Sequence, residues 1–282
     1  MIRVGPAGWS YKDWEGIVYP TRPKPDQLSY LADYFNTIEI NSTFYRPCTP
    51  KTAEGWVRRA GKNPDFKFTA KLLQAFTHEK SIGAALVKEW KDGIAPILES
   101  GKLGAVLVQF PWSFKNEPDS RDYLVRVLEA FAGLIPVLEF RHGSWDEEEV
   151  RELLHHYGAG VCNIDQPLFG KSLRPRAYVI GKVAYFRYHG RNYQDWFRED
   201  AGRDARYNYL YSEEKIDQQA QVIAHSSESA TETYAVYNNH FRGQAVVNAL
   251  QLRKRLEKQA IKIPENLPAT YPDAGLMDEP RT

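Results

Sequence analysis

Thr37-Ile38-Glu39-Ile40-Asn41-Ser42-Thr43-Phe44-Tyr45 opens as a strand and closes as a site. Successive side chains of a strand alternate between its faces, so Ile38 and Ile40 share one face and Glu39 and Asn41 the other. A carboxylate and a carboxamide two residues apart need water or a polar pocket. Either this is an edge strand with one solvated face, or a cavity receives both groups. Repetition favours the cavity, because the same device recurs further along the chain.

Other strands with polar ends are expected at 66–71, 104–110, 136–141, 160–165, 183–190 and 233–239, and a short Gly-rich strand at 3–8. Their ends present Thr69 and Lys71, Gln109, Glu139 and Arg141, Asn163 and Asp165, Arg187 and His189, and Asn238 and Asn239. Between them lie helical patterns at 27–35, 50–61, 82–100 with a kink near Pro96, 119–132, 146–157, 212–225 and 243–259. Thr49-Pro50 and Ser212 read as helix starts, with a side-chain oxygen free to cap the first backbone N–H groups. No helical pattern follows the sixth strand, where 166–182 reads as an irregular crossover, and 191–211 is a long polar, aromatic loop.

Eight strands alternating with helices or crossovers predict a parallel sheet closed into a single (β/α)8 TIM barrel over 1–263. The tail, 264–282, contains several prolines and reads as extended or disordered. The competing open, doubly wound sheet usually carries a Gly-rich phosphate loop, and neither GxGxxG nor a P-loop pattern occurs. On a barrel, the C-terminal strand ends surround one mouth, so polar groups from seven strands are expected to converge there. The bland alternative is a set of structural ion pairs with no ligand.

Composition is that of an ordinary globular chain: 282 residues, 43% hydrophobic and 26% charged, with a formal net charge of +1. Such a balance gives no global field towards nucleic acid or membrane, although a local basic pocket remains compatible with it. No apolar run approaches the ~18 residues of a membrane span. The two cysteines, Cys48 and Cys162, form no metal-ligand spacing, and Met1 to Gly5 lacks a signal-peptide core. A reducing cytoplasm is the expected compartment.

Several motifs carry a family resemblance. They are Gly8-Trp9-Ser10-Tyr11 with Trp14, Glu39 to Tyr45, Phe68-Thr69-Ala70-Lys71 with Thr77-His78, and Gln109-Phe110-Pro111. Further along are Glu139-Phe140-Arg141-His142 with Ser144-Trp145, Arg187-Tyr188-His189-Gly190, and Tyr237-Asn238-Asn239 with Gly243-Gln244-Ala245 and Asn248-Ala249. Together, over about 2–250, they resemble the YecE-like proteins. The resemblance implies a TIM barrel and supplies no reaction. His240 stands where that pattern has a small residue, at one edge of the expected mouth.

The expected chemistry follows from the residue types. Glu39, Glu139 and His189 are the candidates for proton transfer. An acid–base carboxyl pair would stand about 5 Å apart in a retaining glycosidase and about 6.5–9.5 Å in an inverting one; strands two and five lie nearly across the barrel, which favours the wider spacing. Lys71, Arg141 and Arg187 suit a phosphate or carboxylate, with pairing to Glu139 and Asp165 as the alternative for the arginines. Asn41, His78, Gln109, Asp165, Asn238 and Asn239 would orient the ligand, and Trp14, Tyr45 and Trp145 would wall the pocket. No cofactor is expected. A divalent metal on Glu39, Glu139, Asp165 and His189 is the alternative, weakened by three neighbouring cations. The reading is an enzyme doing acid–base hydrolytic chemistry on a small anionic, phosphorylated or sugar-containing substrate. The alternative is a nucleic-acid binder that stacks bases on its aromatic loops, either without catalysis or as a metal-dependent phosphoesterase.

Overall fold

The computed structural model describes residues 1–196, 198, 204–257 and 260–277. Eight strands form one parallel sheet: β1 Ile2–Pro6, β2 Thr37–Ile40, β3 Lys67–Lys71, β4 Leu103–Gln109, β5 Pro136–Glu139, β6 Gly160–Asp165, β7 Val183–Tyr188 and β8 Glu232–Tyr237. Each pairs in parallel with its sequence neighbour from β2 round to β8, and β8 pairs with β1.

The seam between β1 and β2 closes the barrel. Ala7 bridges Glu39 in parallel, and the Gly8 N–H donates to the Glu39 carbonyl over 2.8 Å. Lower down, the Asn36 side chain stands in for a strand bond, accepting from Val4 N at 2.9 Å and donating to Ile2 O at 3.2 Å. Gly5 is required here: a Cβ at this position would lie 1.8 Å from the Thr37 carbonyl oxygen. The sheet is therefore a closed barrel, as predicted.

Helices wrap the sheet: α1 Gln27–Ala32, α2 Pro50–Arg59, the single turn α3 Gln74–Thr77, α4 Ala84–Glu99, α5 Pro118–Ala130, α6 Glu148–His156, α7 Glu213–Ser227 and α8 Gln244–Glu257. Thr49 and Ser212 cap α2 and α7 by accepting from Thr52 N and Lys215 N. Pro96 lies within α4, which runs on to Glu99. No helix separates β6 from β7, so the irregular crossover is as read from the sequence. The tail differs from expectation. Residues 264–277 carry α9 (Leu267–Thr270) and bury Leu267, Ala274 and Leu276, and Ala274 O accepts from Gln251 of α8 at 2.7 Å. Apolar burial of these side chains, at about 25 cal/mol per Å², outweighs the disorder that the prolines suggest. Residues 278–282 lie outside the described residues.

The barrel interior is filled in layers. At the bottom, Arg3 pairs with Glu232, which Lys67 also reaches at 3.2 Å. Above them, the Thr69 hydroxyl meets the Tyr185 hydroxyl at 2.9 Å, which donates onward to Glu39 Oε2 over 2.9 Å. The middle layer thus supports the top one.

β2 ends earlier than its sequence suggests. Asn41 leaves the strand with φ −86° and ψ −23°, and Ser42–Phe44 form a 3₁₀ turn. The Thr43 hydroxyl, buried beneath that turn, bonds the Lys71 carbonyl at 2.7 Å and so ties the turn to the end of β3.

Candidate functional site

Arg187 is the centre of the mouth. It rises from β7 with its side chain closed to bulk solvent. Its Nε meets both Glu39 oxygens at 3.1 Å, and Nη2 meets Oε1 at 2.7 Å. On the other side, Nη1 reaches Glu139 Oε2 at 3.1 Å and Gln109 Oε1 at 3.3 Å. Guanidinium carries five donors in a rigid fork. These bonds, with the contact to His189, leave one Nη2 N–H uncommitted among the described residues.

Glu139 is equally enclosed. Arg141 pairs with its Oε1, and Arg141 also bonds Gln166. Burial alone would raise the Glu139 carboxyl, but Arg141, Arg187 and His189 hold it well below the usual carboxylate range. The two glutamates that the sequence offers as an acid–base pair therefore both grip Arg187. Neither borders the open cavity. Their role here is to hold a buried cation in one orientation.

His189 is fully buried, and its Nε2 lies 3.2 Å from both Arg187 Nη1 and Arg141 Nη2. The same nitrogen also lies 3.4 Å from Glu139 Oε1, so the ring is enclosed between two guanidinium groups and a carboxylate. The Asn238 amide nitrogen, Nδ2, lies 3.0 Å from the other ring nitrogen, Nδ1. Burial, reinforced by Arg141, pulls the His189 pKa from 6.5 down to about 3. The ring is neutral at pH 7 and serves as part of the scaffold rather than as an exposed shuttle.

The cavity itself, about 430 Å³, lies above this layer. Lys71, Arg187, Gln109, Asn41 and Asn238 form its polar floor. Tyr11, Phe44, Tyr45, Tyr207 and His240 contribute its walls. A volume of this size is typical of small-molecule sites. Among the described residues the buried Asn41 Oδ1 has no hydrogen-bond partner, which leaves a ready acceptor for a ligand hydroxyl. Lys71 Nζ sits 3.8 Å over the Phe44 ring and forms no ion pair with a carboxylate among the described residues. Burial first, then Arg187, lowers its pKa to about 7.

Five of the expected site residues stand elsewhere. Asp165 points away from the mouth and takes a bidentate bond from Arg191, both contacts at 2.7 Å. The phase of β6 is the reason: Cys162 faces inward, its Sγ 3.8 Å from Glu139, so Asn163 and Asp165 face out by alternation. Asn239 also turns outward and donates to Tyr209 O and Asn248 Oδ1, each at 2.8 Å. Trp14 is core, donating to His240 O at 2.7 Å, and Trp145 is core, stacked on Phe140 at 4.4 Å. His78 stands behind Phe44, edge-on at 5.1 Å, with its pKa lowered to about 4 by burial and by Lys71. Tyr45 remains at the rim, 62% exposed.

Sequence reading missed Gln166 and Tyr207 and left the aromatic sandwich at His240 undefined. His240 stacks on Tyr11 at 4.5 Å and lies 4.8 Å from Tyr207. Only its position just after β8 signalled a place at the mouth. Gln166, directly after β6, had the same signal.

Metal binding finds no support in this arrangement. Among the described residues no group of three or more His, Cys, Asp or Glu could hold an ion. The guanidinium of Arg187 occupies the space between Glu39 and Glu139 that a cation would need. No helix among the described residues is long and apolar enough to cross a membrane.

Residues 3–272 match the family model described as a protein of unknown function, DUF72. The chain belongs to the DUF72 family. The YecE-like resemblance is supported at the level of this family. The UPF0759 protein YunF of Bacillus subtilis is 29% identical over 276 residues, covering 91% of this chain and 95% of that protein. Among solved structures, a DUF72 family protein of Thermotoga maritima is 34% identical and superposes with a TM-score of 0.81, covering 91% of this chain and 99% of that one. A DUF72 family protein of Enterococcus faecalis, 25% identical, also gives 0.81, with 91% and 96% covered. DUF72 relatives thus match this chain over nearly its whole length and share its barrel.

Proposed function

We propose that the protein is an enzyme that performs acid–base or hydrolytic chemistry, at the mouth of its barrel, on a small phosphorylated or carboxylated, sugar-like molecule. The observation that carries this reading is the cavity floor. Lys71 and the edge of Arg187 face it together, no carboxylate among the described residues borders it, and the Asn41 oxygen, unbonded among those residues, stands beside them. Two cations suit an anionic group, and an unpaired acceptor suits a hydroxyl. Glu39 and Glu139 act by fixing Arg187, and Lys71, whose amine titrates near pH 7, is the group placed to exchange protons with a ligand.

The test is a panel of sugar phosphates and nucleotides beside their dephosphorylated forms. Thermal stability and turnover are read on wild type and Lys71→Met. The reading expects stabilisation by phosphorylated compounds alone, weakened in the variant. It is abandoned if no compound shifts the wild-type midpoint or is converted.

A second reading, nucleic-acid binding, is favoured by Tyr45 and Trp112, which are 62% and 47% exposed. The net charge of +1 weighs against broad electrostatic binding. Salt-sensitive retention on single-stranded DNA would support it, and passage through at low salt would remove it.

A further inference from the structure

Lys71 differs from the charged groups beneath it in forming no direct ion pair among the described residues. It ends β3 with its carbonyl fixed by the Thr43 hydroxyl at 2.7 Å, so the backbone that aims its side chain is held in place. Its amine lies over the Phe44 ring at 3.8 Å, on the cavity side. The groups that act on it come from several elements: Arg187 of β7, Glu139 of β5 with Arg141 just beyond that strand's end, and Glu39 of β2. His78, after α3, is the further titratable neighbour. Glu139 and Glu39 favour the ammonium form, but both are paired with arginines, and burial together with Arg187 outweighs them.

We propose that Lys71 is a nucleophile that forms a reversible imine with a small aldehyde or ketone bearing a phosphate or carboxylate, the anion resting at Arg187. This rests on the anion-binding reading of the cavity and names its substrate class. The uncharged amine attacks the carbonyl carbon, and a C–N bond forms as the C=O π pair moves to oxygen. One amine proton passes to that oxygen, giving a carbinolamine. The oxygen then leaves as water, taking the second amine proton, and a C=N bond remains. Water reverses the sequence, so no oxidant or further reactant is needed. An amine with a pKa of about 7 is substantially unprotonated at neutral pH, whereas surface ammonium groups near 10.4 are not.

The probe is pyridoxal 5′-phosphate, an aldehyde carrying a phosphate. Full-length protein is treated at pH 7, reduced with borohydride and mapped by peptide mass spectrometry. Lys71 is expected to carry the main adduct. Unphosphorylated pyridoxal should need at least about tenfold more reagent, the equivalent of ~1.4 kcal/mol from the phosphate contacts. Inorganic phosphate should protect Lys71, and Lys71→Arg should remove the adduct while keeping the thermal midpoint. If phosphate stabilises the protein but Lys71 is labelled no faster than surface lysines, the imine proposal fails and the anion site stands. If phosphate neither stabilises nor protects, both fail.

Discussion

Arg187 holds Glu39 through two nitrogens, Nη2 at 2.7 Å and Nε at 3.1 Å, with both side chains closed to solvent. The same guanidinium reaches Glu139 at 3.1 Å, so one cation serves two buried carboxylates from opposite sides of the barrel. Removing one partner of a buried ion pair leaves an uncompensated charge, which costs roughly 3–5 kcal/mol. Arg187→Met should therefore lower unfolding stability by about that amount. Adding Glu39→Gln to that variant should recover part of the loss, since it removes one stranded charge. Urea unfolding of the single and double variants measures both; additive losses would show that the pair is not coupled.

His189 makes a pH prediction whose sign is fixed by its environment. Its folded pKa is lowered to about 3, so below its ordinary value near 6.5 the unfolded chain takes up a proton that the folded chain refuses. The stability this neutral ring permits is complete above pH 6.5 and is lost as pH falls towards 3. Between pH 7 and pH 5 it accounts for about 2 kcal/mol of lost stability. His189→Gln should flatten that part of the profile. His78 shifts in the same direction but is present in both proteins, and Glu139 acts only at lower pH, below the ordinary carboxylate range. Equal slopes in wild type and variant over pH 5–7 would count against a neutral His189.

Asn238 and Asn239 are neighbours with opposite duties. Asn238 borders the cavity and meets His189, while Asn239 braces the β8 end against Tyr209 and Asn248. Asn239→Ala should cost about 1–3 kcal/mol by removing its bonds to Asn248 Oδ1 and the Tyr209 carbonyl, with phosphate affinity kept. Asn238→Ala should weaken ligand binding more than it weakens the fold. Unfolding curves and phosphate titrations of the two variants read this directly; a reversed pattern would show that the strand phase is assigned wrongly.

The barrel was legible because its evidence is periodic. Strand and helix alternation, capping residues at Thr49 and Ser212 and polar strand ends all survive in one dimension. Convergence at the mouth was also legible for Arg187, Lys71, Gln109, Asn41 and Asn238. What could not be read was the phase of β6, whose mixed pattern fits either face until Cys162 meets Glu139. The depth of the glutamates was hidden too. A strand places a side chain on a face, but only the reach of Arg187 from β7 determines that both carboxylates lie beneath a guanidinium and not in the open. Trp14 and Trp145 misled for a related reason, since aromatic residues in loops after strands serve core and pocket alike.

The most direct test of the anion site is an anomalous difference map from crystals soaked in tungstate, a heavy analogue of phosphate. The site described here predicts a peak inside the barrel mouth, within hydrogen-bonding reach of Lys71 Nζ and Arg187 Nη2 and absent from Lys71→Met crystals. Tungstate bound only on the outer surface, with the mouth empty, would contradict it.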